Sequence, residues 1–519
     1  MDKIIVLDFG GQYCHLIARR VRDLGVYSEI CPFDIEMTEL EDLDPKGIIL
    51  SGGPNSVYKE GSPKLSNEFY SYIEANDIPV LGICYGLHLL VHQLKGKIEP
   101  HKQKEYGKTK LTIINPDILL KSLDKREIVW MSHGDQVTEL PPGFKVLART
   151  KTCSIAAYGH LQKKIYGVQF HPEVVHTPHG NQILDNFVAR IAKCKKEWKL
   201  EDWITKKVKE IRDIVGSHNR VILGLSGGID SSVAAVLLHK AIGDRCHSIF
   251  VNNAVLRKHE EIEVQRQFEE KLQFKNFHYV DAEDLFLDRL SGVADPEKKR
   301  EIIGHTFIEI FEEKTIELEK KFPGIKFLAQ GTIYSDRVET ATTSKSAAKI
   351  KSHHNLTLPE NMKLEIIEPL KDIYKDEVRK IGIKLGLNEE LVKRHPFPGP
   401  GLAVRCIGKI DKKKLDILRE ADQILLEEIR KAGLYDELWQ IFCVFLPIKT
   451  VGIMGDFRTY EYICAIRGVE SHDAMTANFA KIPWDILERI STRIINEVKG
   501  FNRVVYDISN KPPSTIEFE

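Results

Sequence analysis

The stretch Ser226-Gly227-Gly228-Ile229-Asp230-Ser231-Ser232 constrains this chain more than any other. It follows the apolar run Val221 to Leu225 and precedes the helical run Val233 to Leu238, a pattern that predicts buried strand, tight turn and helix N-terminus. Glycines at such a turn let backbone N–H groups approach an anion. The serine hydroxyls and first helical amides add donors at the positive end of the helix dipole. The stretch is therefore a candidate phosphate cradle. It is not the common nucleoside-triphosphate loop, because Gly107-Lys108-Thr109 has Lys102 where that motif needs its first glycine.

A chain of 519 residues predicts roughly three to four domains. Lys+Arg and Asp+Glu are both 75, which gives no global electrostatic case for nucleic acid or an anionic membrane. Any anionic ligand must be held locally. The 9 cysteines include no Cys-x-x-Cys pair, which argues against a zinc ribbon or a disulfide framework and predicts a reducing, cytoplasmic setting. The N-terminus lacks the apolar core and cleavage site of a signal peptide, and no apolar run approaches the roughly 20 residues of a membrane span.

Up to about residue 195, short apolar runs (Ile4 to Leu7, Gly47 to Leu50, Val80 to Ile83, Tyr166 to Phe170) alternate with helical patterns such as His15 to Leu24 and Leu87 to Leu94. That alternation predicts a parallel α/β sheet. In Gly82-Ile83-Cys84-Tyr85-Gly86 the thiol falls on a strand-to-helix turn with glycines on both sides, the form of a nucleophile elbow. A thiol needs a proton acceptor. His171-Pro172-Glu173 follows another strand and offers an imidazole with a carboxylate two residues on to orient it. The glycine amides of Leu50-Ser51-Gly52-Gly53-Pro54 offer an oxyanion site.

This set resembles the class I glutamine amidotransferases across the whole segment, including Asp8 to Tyr13 and Trp130 to Asp135. The resemblance implies that Cys84 attacks the glutamine side-chain amide, that His171 with Glu173 handles the proton, and that Gly53 and Tyr85 serve the oxyanion and glutamine. Leu87-His88 departs from the Met-Gln common there.

The second half resembles the ATP pyrophosphatases, with Ser226, Gly227, Gly228, Ile229, Asp230, Ser231 and Ser232 as the ATP-binding loop and Asp230 as the ligand of Mg2+. Strands expected at Cys246 to Val251, Phe277 to Val280 and Lys326 to Gln330 would end beside the cradle. The polar stretch Arg337 to Asn361 has the character of a lid. His353-His354 within it fits neither a helical histidine pair nor a zinc signature.

Glutaminase, pyrophosphatase loop, Gln330 to Tyr334 and Ile350 to Asn355 together resemble the glutamine-hydrolysing GMP synthase family over essentially the whole length. That resemblance implies the substrates XMP, ATP and glutamine, a homodimer, and a lid containing Asp336, Glu339, Lys351, Ser352, His353, His354 and Asn355. It assigns XMP recognition to Arg300, Gln440, Lys511, Ile516 and Glu517. Asn252-Asn253-Ala254 departs from the usual Asp-Asn/His-Gly of the family.

The expected architecture is two parallel-sheet α/β domains plus a smaller C-terminal α+β domain. Its expected bounds are 1–195 for the amidotransferase, 196–206 for a linker, 207–395 for the synthetase and 396–519 for the C-terminal domain. Pro396-Phe397-Pro398-Gly399-Pro400-Gly401 marks the last boundary, since it cannot continue a helix or central strand. The terminus should be pinned if it carries ligand contacts, against the usual fraying of chain ends. Related ligases that aminate other acceptors, a scaffold with dead domains, and tRNA thiolation remain as alternatives. The last needs a basic surface or a cysteine pair, which the chain does not offer.

Overall fold

The computed structural model describes residues 1–334, 336, 364–471 and 476–519. The chain forms two compact units, Met1–Trp203 and Ile204–Glu519. The change between them falls inside the helix Leu200–Val215, which begins within the stretch expected to be a linker.

The first unit is built on a nine-stranded sheet in the order β2-β1-β3-β4-β9-β8-β7-β5-β6. Its strands are β1 Lys3–Asp8, β2 Tyr27–Pro32, β3 Gly47–Leu50, β4 Val80–Ile83, β5 Lys97–Ile113, β6 Arg126–Glu139, β7 Lys145–Arg149, β8 Ala157–His160 and β9 Ile165–Val168. From β2 to β9 the neighbours are parallel. β3, β4 and β9 are buried throughout, as expected of parallel strands covered on both faces. Ile5, Leu7, Ile48, Leu50 and Val80 pack with Phe69 and Ile73 of the helix Asn67–Ala75 and with Leu89 and Leu90 of the helix Tyr85–Gln93.

Beyond β9 the sheet departs from the expected parallel form. β8, β7, β5 and β6 are antiparallel, and β5 and β6 form a long hairpin. β6 alternates buried and exposed positions along most of its length, because one face of an antiparallel extension meets solvent.

The second unit carries a five-stranded sheet, β12-β11-β10-β13-β14, parallel throughout. These strands are β10 Arg220–Leu225, β11 Cys246–Asn252, β12 Phe277–Asp281, β13 Ile325–Ala329 and β14 Glu365–Ile367. A second sheet follows in β15 Gln440–Met454, β16 Phe457–Glu470, β17 Asn478–Phe479 and β18 Phe501–Asp507. β15 pairs antiparallel with β16, while β18 joins the other edge of β16 in parallel.

One apolar core runs through both sheets of this unit, from Ile222, Ile249 and Phe286 through Leu402, Leu418 and Leu425 to Ile441, Phe445 and Ile490. The break in pattern at Pro396 to Gly401 therefore separates two topologies that share one core. Gly401 explains the choice of residue there: its φ is +59°, and a Cβ would stand 2.2 Å from the Val255 carbonyl oxygen.

Candidate active sites

β4 delivers Cys84 to the turn before the helix Tyr85–Gln93 with φ 53° and ψ −102°, a conformation that costs a non-glycine residue backbone strain. The flanking glycines make that turn possible. A Cβ on Gly82 would lie 2.5 Å from the Gly86 carbonyl carbon, and one on Gly86 would lie 2.5 Å from the Leu50 oxygen. The Cys84 N–H bonds the Val168 carbonyl at 2.8 Å, so the end of β9 is fixed beside the elbow.

His171 follows β9 and is held through its own backbone: its N–H reaches the Trp130 carbonyl at 3.0 Å and its carbonyl accepts the Thr177 hydroxyl at 2.7 Å. His171 Nδ1 lies 2.6 Å from Glu173 Oε1, and both side chains are buried. Burial by itself would push the imidazole pKa down. The Glu173 carboxylate and the Cys84 thiol outweigh that and raise it to about 10. Cys84 Sγ also faces the Ser132 carbonyl at 3.7 Å and the Gln169 side-chain N–H at 3.8 Å.

The loop after β3 passes beside this pair. A Cβ on Gly52 would come within 3.3 Å of His171 Cε1, and one on Gly53 within 2.7 Å of the Phe9 oxygen and 3.2 Å of the Tyr85 ring. Only glycine fits this close approach. The arrangement supplies a nucleophile, a proton carrier and an orienting carboxylate beside a backbone loop, which is the equipment of acyl transfer.

In the second unit β10 runs into the cradle and the helix Ile229–Ile242 opens after Gly228. Gly227 has φ +75°. The loop is braced by its own hydroxyls. Ser231 Oγ accepts the Ser226 N–H at 3.2 Å and lies 3.1 Å from Ser226 Oγ, and Ser232 Oγ donates to the Gly228 carbonyl at 2.8 Å. Gly331, after β13, packs so close that a Cβ would be 3.1 Å from the Ser231 nitrogen.

Asp230 stands in the first helical turn. Its Oδ2 pairs with Lys375 Nζ at 2.5 Å, while its Oδ1 is buried without a hydrogen-bond partner. An unsatisfied hard oxygen beside a glycine-serine loop at a helix N-terminus fits a hydrated magnesium ion. At the end of β11, Asn252 bonds Asp281 Oδ1 at 3.1 Å, and Ala254 takes φ +64°, the left-handed conformation that glycine holds without strain.

The C-terminus is anchored by side chains of its own unit. Arg405 grips Glu517 through Nε at 3.0 Å and Nη2 at 2.9 Å, and Gln440 Nε2 donates to the same carboxylate at 2.8 Å. Ile516 packs on Phe442, Val444 and Ala465. Arg467 donates to the carbonyls of Ser509 at 2.6 Å and Thr515 at 3.0 Å. Lys511 pairs through its backbone with Ala477. Arg300 is not part of this group; it pairs with Glu297 three residues earlier on its own helix, at 2.5 Å.

Three family descriptions match the chain: "Glutamine amidotransferase class-I" over residues 5–191, "NAD synthase" over 198–298 and "GMP synthase C terminal domain" over 427–518. Curated relatives match end to end. A glutamine-hydrolysing GMP synthase of Brachyspira hyodysenteriae is 52% identical over 100% of this chain and 99% of its own. The chain belongs to the glutamine-hydrolysing GMP synthases. Members of this family from Aquifex aeolicus, 52% identical over 99% of both chains, and Carboxydothermus hydrogenoformans, 53% identical over 100% of both, are equally similar.

In this GMP synthase family member the structure brings Cys84, His171, Glu173, Gly53 and Tyr85 together, and it brings Gln440, Ile516 and Glu517 together. Asp336 is exposed, and its carboxylate accepts the Ile333 N–H at 3.1 Å. Glu339, Lys351, Ser352, His353, His354 and Asn355 lie outside the described residues.

Sequence reasoning missed Gln169, Lys375, Lys299, Arg405 and Arg467, all of which touch the sites or the tail. Gln169 sits two residues before His171, which was a usable signal. The others gave none, because a lone basic residue carries no mark of its distant partner.

Proposed function

We propose that this chain makes GMP from XMP, ATP and glutamine in two coupled half-reactions, with residues 1–195 acting as glutaminase, 207–395 as ATP pyrophosphatase and 396–519 completing the XMP site. In the first half, Cys84 Sγ attacks the side-chain carbonyl carbon of glutamine. His171 carries the thiol proton to the departing ammonia, and Glu173 holds its imidazole. Backbone amides at Gly53 and Tyr85 meet the oxyanion, and water then cleaves the thioester to glutamate.

In the second half, the XMP C2 oxygen attacks the ATP α phosphorus and expels pyrophosphate onto Ser226 to Ser232, leaving adenylyl-XMP. Ammonia attacks C2 and AMP departs. Asp230 would hold Mg2+, which would supply charge neutralisation for the phosphates. Gln440, Ile516, Glu517, Lys511 and Arg300 are assigned to XMP, and Asp336 with Glu339 and Lys351 to Asn355 to a lid. Of the described members, the tail residues are the best supported, since Glu517 is locked to Arg405 and Gln440.

The chain is further proposed to act in the cytoplasm as a homodimer, with no nucleic-acid or membrane partner. Among the described residues no helix is long and apolar enough to cross a membrane. The observation that carries the reading is the Cys84-His171-Glu173 constellation in the same chain as the Ser226 to Ser232 cradle. The test is pyrophosphate release from ATP·Mg2+ with ammonium, comparing XMP, nicotinate adenine dinucleotide and aspartate as acceptors. Release with XMP alone supports the proposal, and release with either of the others overturns it.

A further inference from the structure

The helix that starts at Cys84 presents His88 one turn later, and the His88 N–H bonds the Cys84 carbonyl at 3.2 Å. The side chain turns inward, leaving His88 only 5% exposed. Its Nε2 lies 2.7 Å from Gln169 Oε1. Gln169 is wholly buried, and its Nε2 points at Cys84 Sγ at 3.8 Å. Three side chains thus form a line ending on the nucleophile: imidazole, carboxamide, sulfur.

The polarity of that line is set by chemistry. A carboxamide oxygen only accepts, so His88 Nε2 carries a hydrogen wherever it meets Gln169 Oε1. The imidazole and carboxamide have one other self-consistent arrangement, with a bare Nε2 accepting from the Gln169 amide. That arrangement would turn the Gln169 oxygen towards sulfur and repel a thiolate. Burial pushes the His88 pKa down to about 4; the nearby His133 adds to this, while the Gln169 bond and Asp135 oppose it. The ring is therefore neutral at ordinary pH and holds its single proton on one nitrogen.

We propose that His88 is a positioning residue for glutamine hydrolysis, donating Nε2–H to Gln169 Oε1 so that the Gln169 amide N–H stays aimed at Cys84 Sγ. The amide hydrogen stabilises negative charge on sulfur twice: in the thiolate that attacks glutamine, and in the thiolate expelled when water cleaves the thioester. No atom is transferred through the line. The inference rests on Cys84 being the nucleophile.

The test uses the full-length chain with XMP and ATP·Mg2+ present. Iodoacetamide alkylation at Cys84 is followed by mass spectrometry against pH, and kcat and KM for glutamine are measured beside it. The variants are His88→Phe, His88→Gln and Gln169→Leu. For His88→Phe and Gln169→Leu the alkylation midpoint should rise by roughly 1 pH unit and kcat should fall about tenfold, with KM within about twofold. His88→Gln, which can donate to the same oxygen, should recover most of both.

An unchanged alkylation profile in Gln169→Leu overturns the proposal, as does a rise in KM alone, which would make His88 a contact of glutamine itself. If His88→Phe does not fold, Gln169→Leu and His88→Gln decide the matter between them. Glutamine turnover surviving in Cys84→Ala would instead remove the reading on which the inference rests.

Discussion

Lys299 Nζ lies 2.5 Å from Glu519 Oε2, joining a fully buried lysine on the helix Pro296–Lys321 to the last residue of the chain. The same ammonium donates to the Ala403 and Cys406 carbonyls at 3.0 Å each. All three partners are spent on one buried charge, so the last residue is tied to the interior of its unit. Removing one partner of a buried pair leaves the other charge uncompensated. Glu519→Gln should cost about 3 kcal/mol of stability in the second unit by urea unfolding and raise the KM for XMP, a pairing of effects that frayed-tail behaviour would not produce.

Cys84→Ala should abolish GMP formation driven by glutamine while leaving formation driven by ammonium, measured as AMP release. Loss of both would mean that the thiol turn supports the second half-reaction as well.

The His171 imidazole has an ordinary value of 6.5 and a folded value of about 10, a net rise in which Glu173 and Cys84 outweigh burial. A group raised on folding gives stability that is fully present below its unfolded value and lost as pH rises through the folded one. The unfolding midpoint of the glutaminase unit should therefore decline between pH 6.5 and about 10. Glu173→Gln should flatten that decline, and differential scanning across the window checks it.

Asp230→Asn exchanges the carboxylate whose Oδ1 is buried and unsatisfied for a neutral carboxamide. The Mg2+ concentration for half-maximal pyrophosphate release should rise about 10–100-fold. Lys375→Met, which frees Asp230 Oδ2 from its ion pair, should not mimic this, and an unchanged Mg2+ requirement in Asp230→Asn would remove the residue from the metal site.

Gly86→Ala places a Cβ 2.5 Å from the Leu50 carbonyl oxygen, where backbone must move. The first unit should lose about 3 kcal/mol or more by urea unfolding, and a cost below about 1 kcal/mol would show that the elbow relaxes without hindrance.

What the chain carried in its local order was what local physics decides. Runs such as Gly47–Leu50 and Val80–Ile83 are apolar at every step because parallel strands are covered on both faces, so β3 and β4 were readable. Glycines spaced around Cys84 and after Ser226 announced tight turns into helices, because the backbone approaches at Gly82 and Gly86 leave no room for a Cβ and the positive φ of Gly227 favours glycine.

Tertiary structure decided the rest. The antiparallel extension β8-β7-β5-β6 is built of hairpin neighbours joined through the pairing of β5 with β7, and no pattern within a single strand marks which edge it takes. The bonding of β4 to β9 is what brings His171 and Gln169 to Cys84, and it is packing that turns His88 inward to meet that glutamine. The grip of Lys299, Arg405, Gln440 and Arg467 on the C-terminal tail follows the same rule. A hydrogen bond or ion pair between distant residues leaves no period or motif in either segment, and only the folded chain sets which donor meets which acceptor.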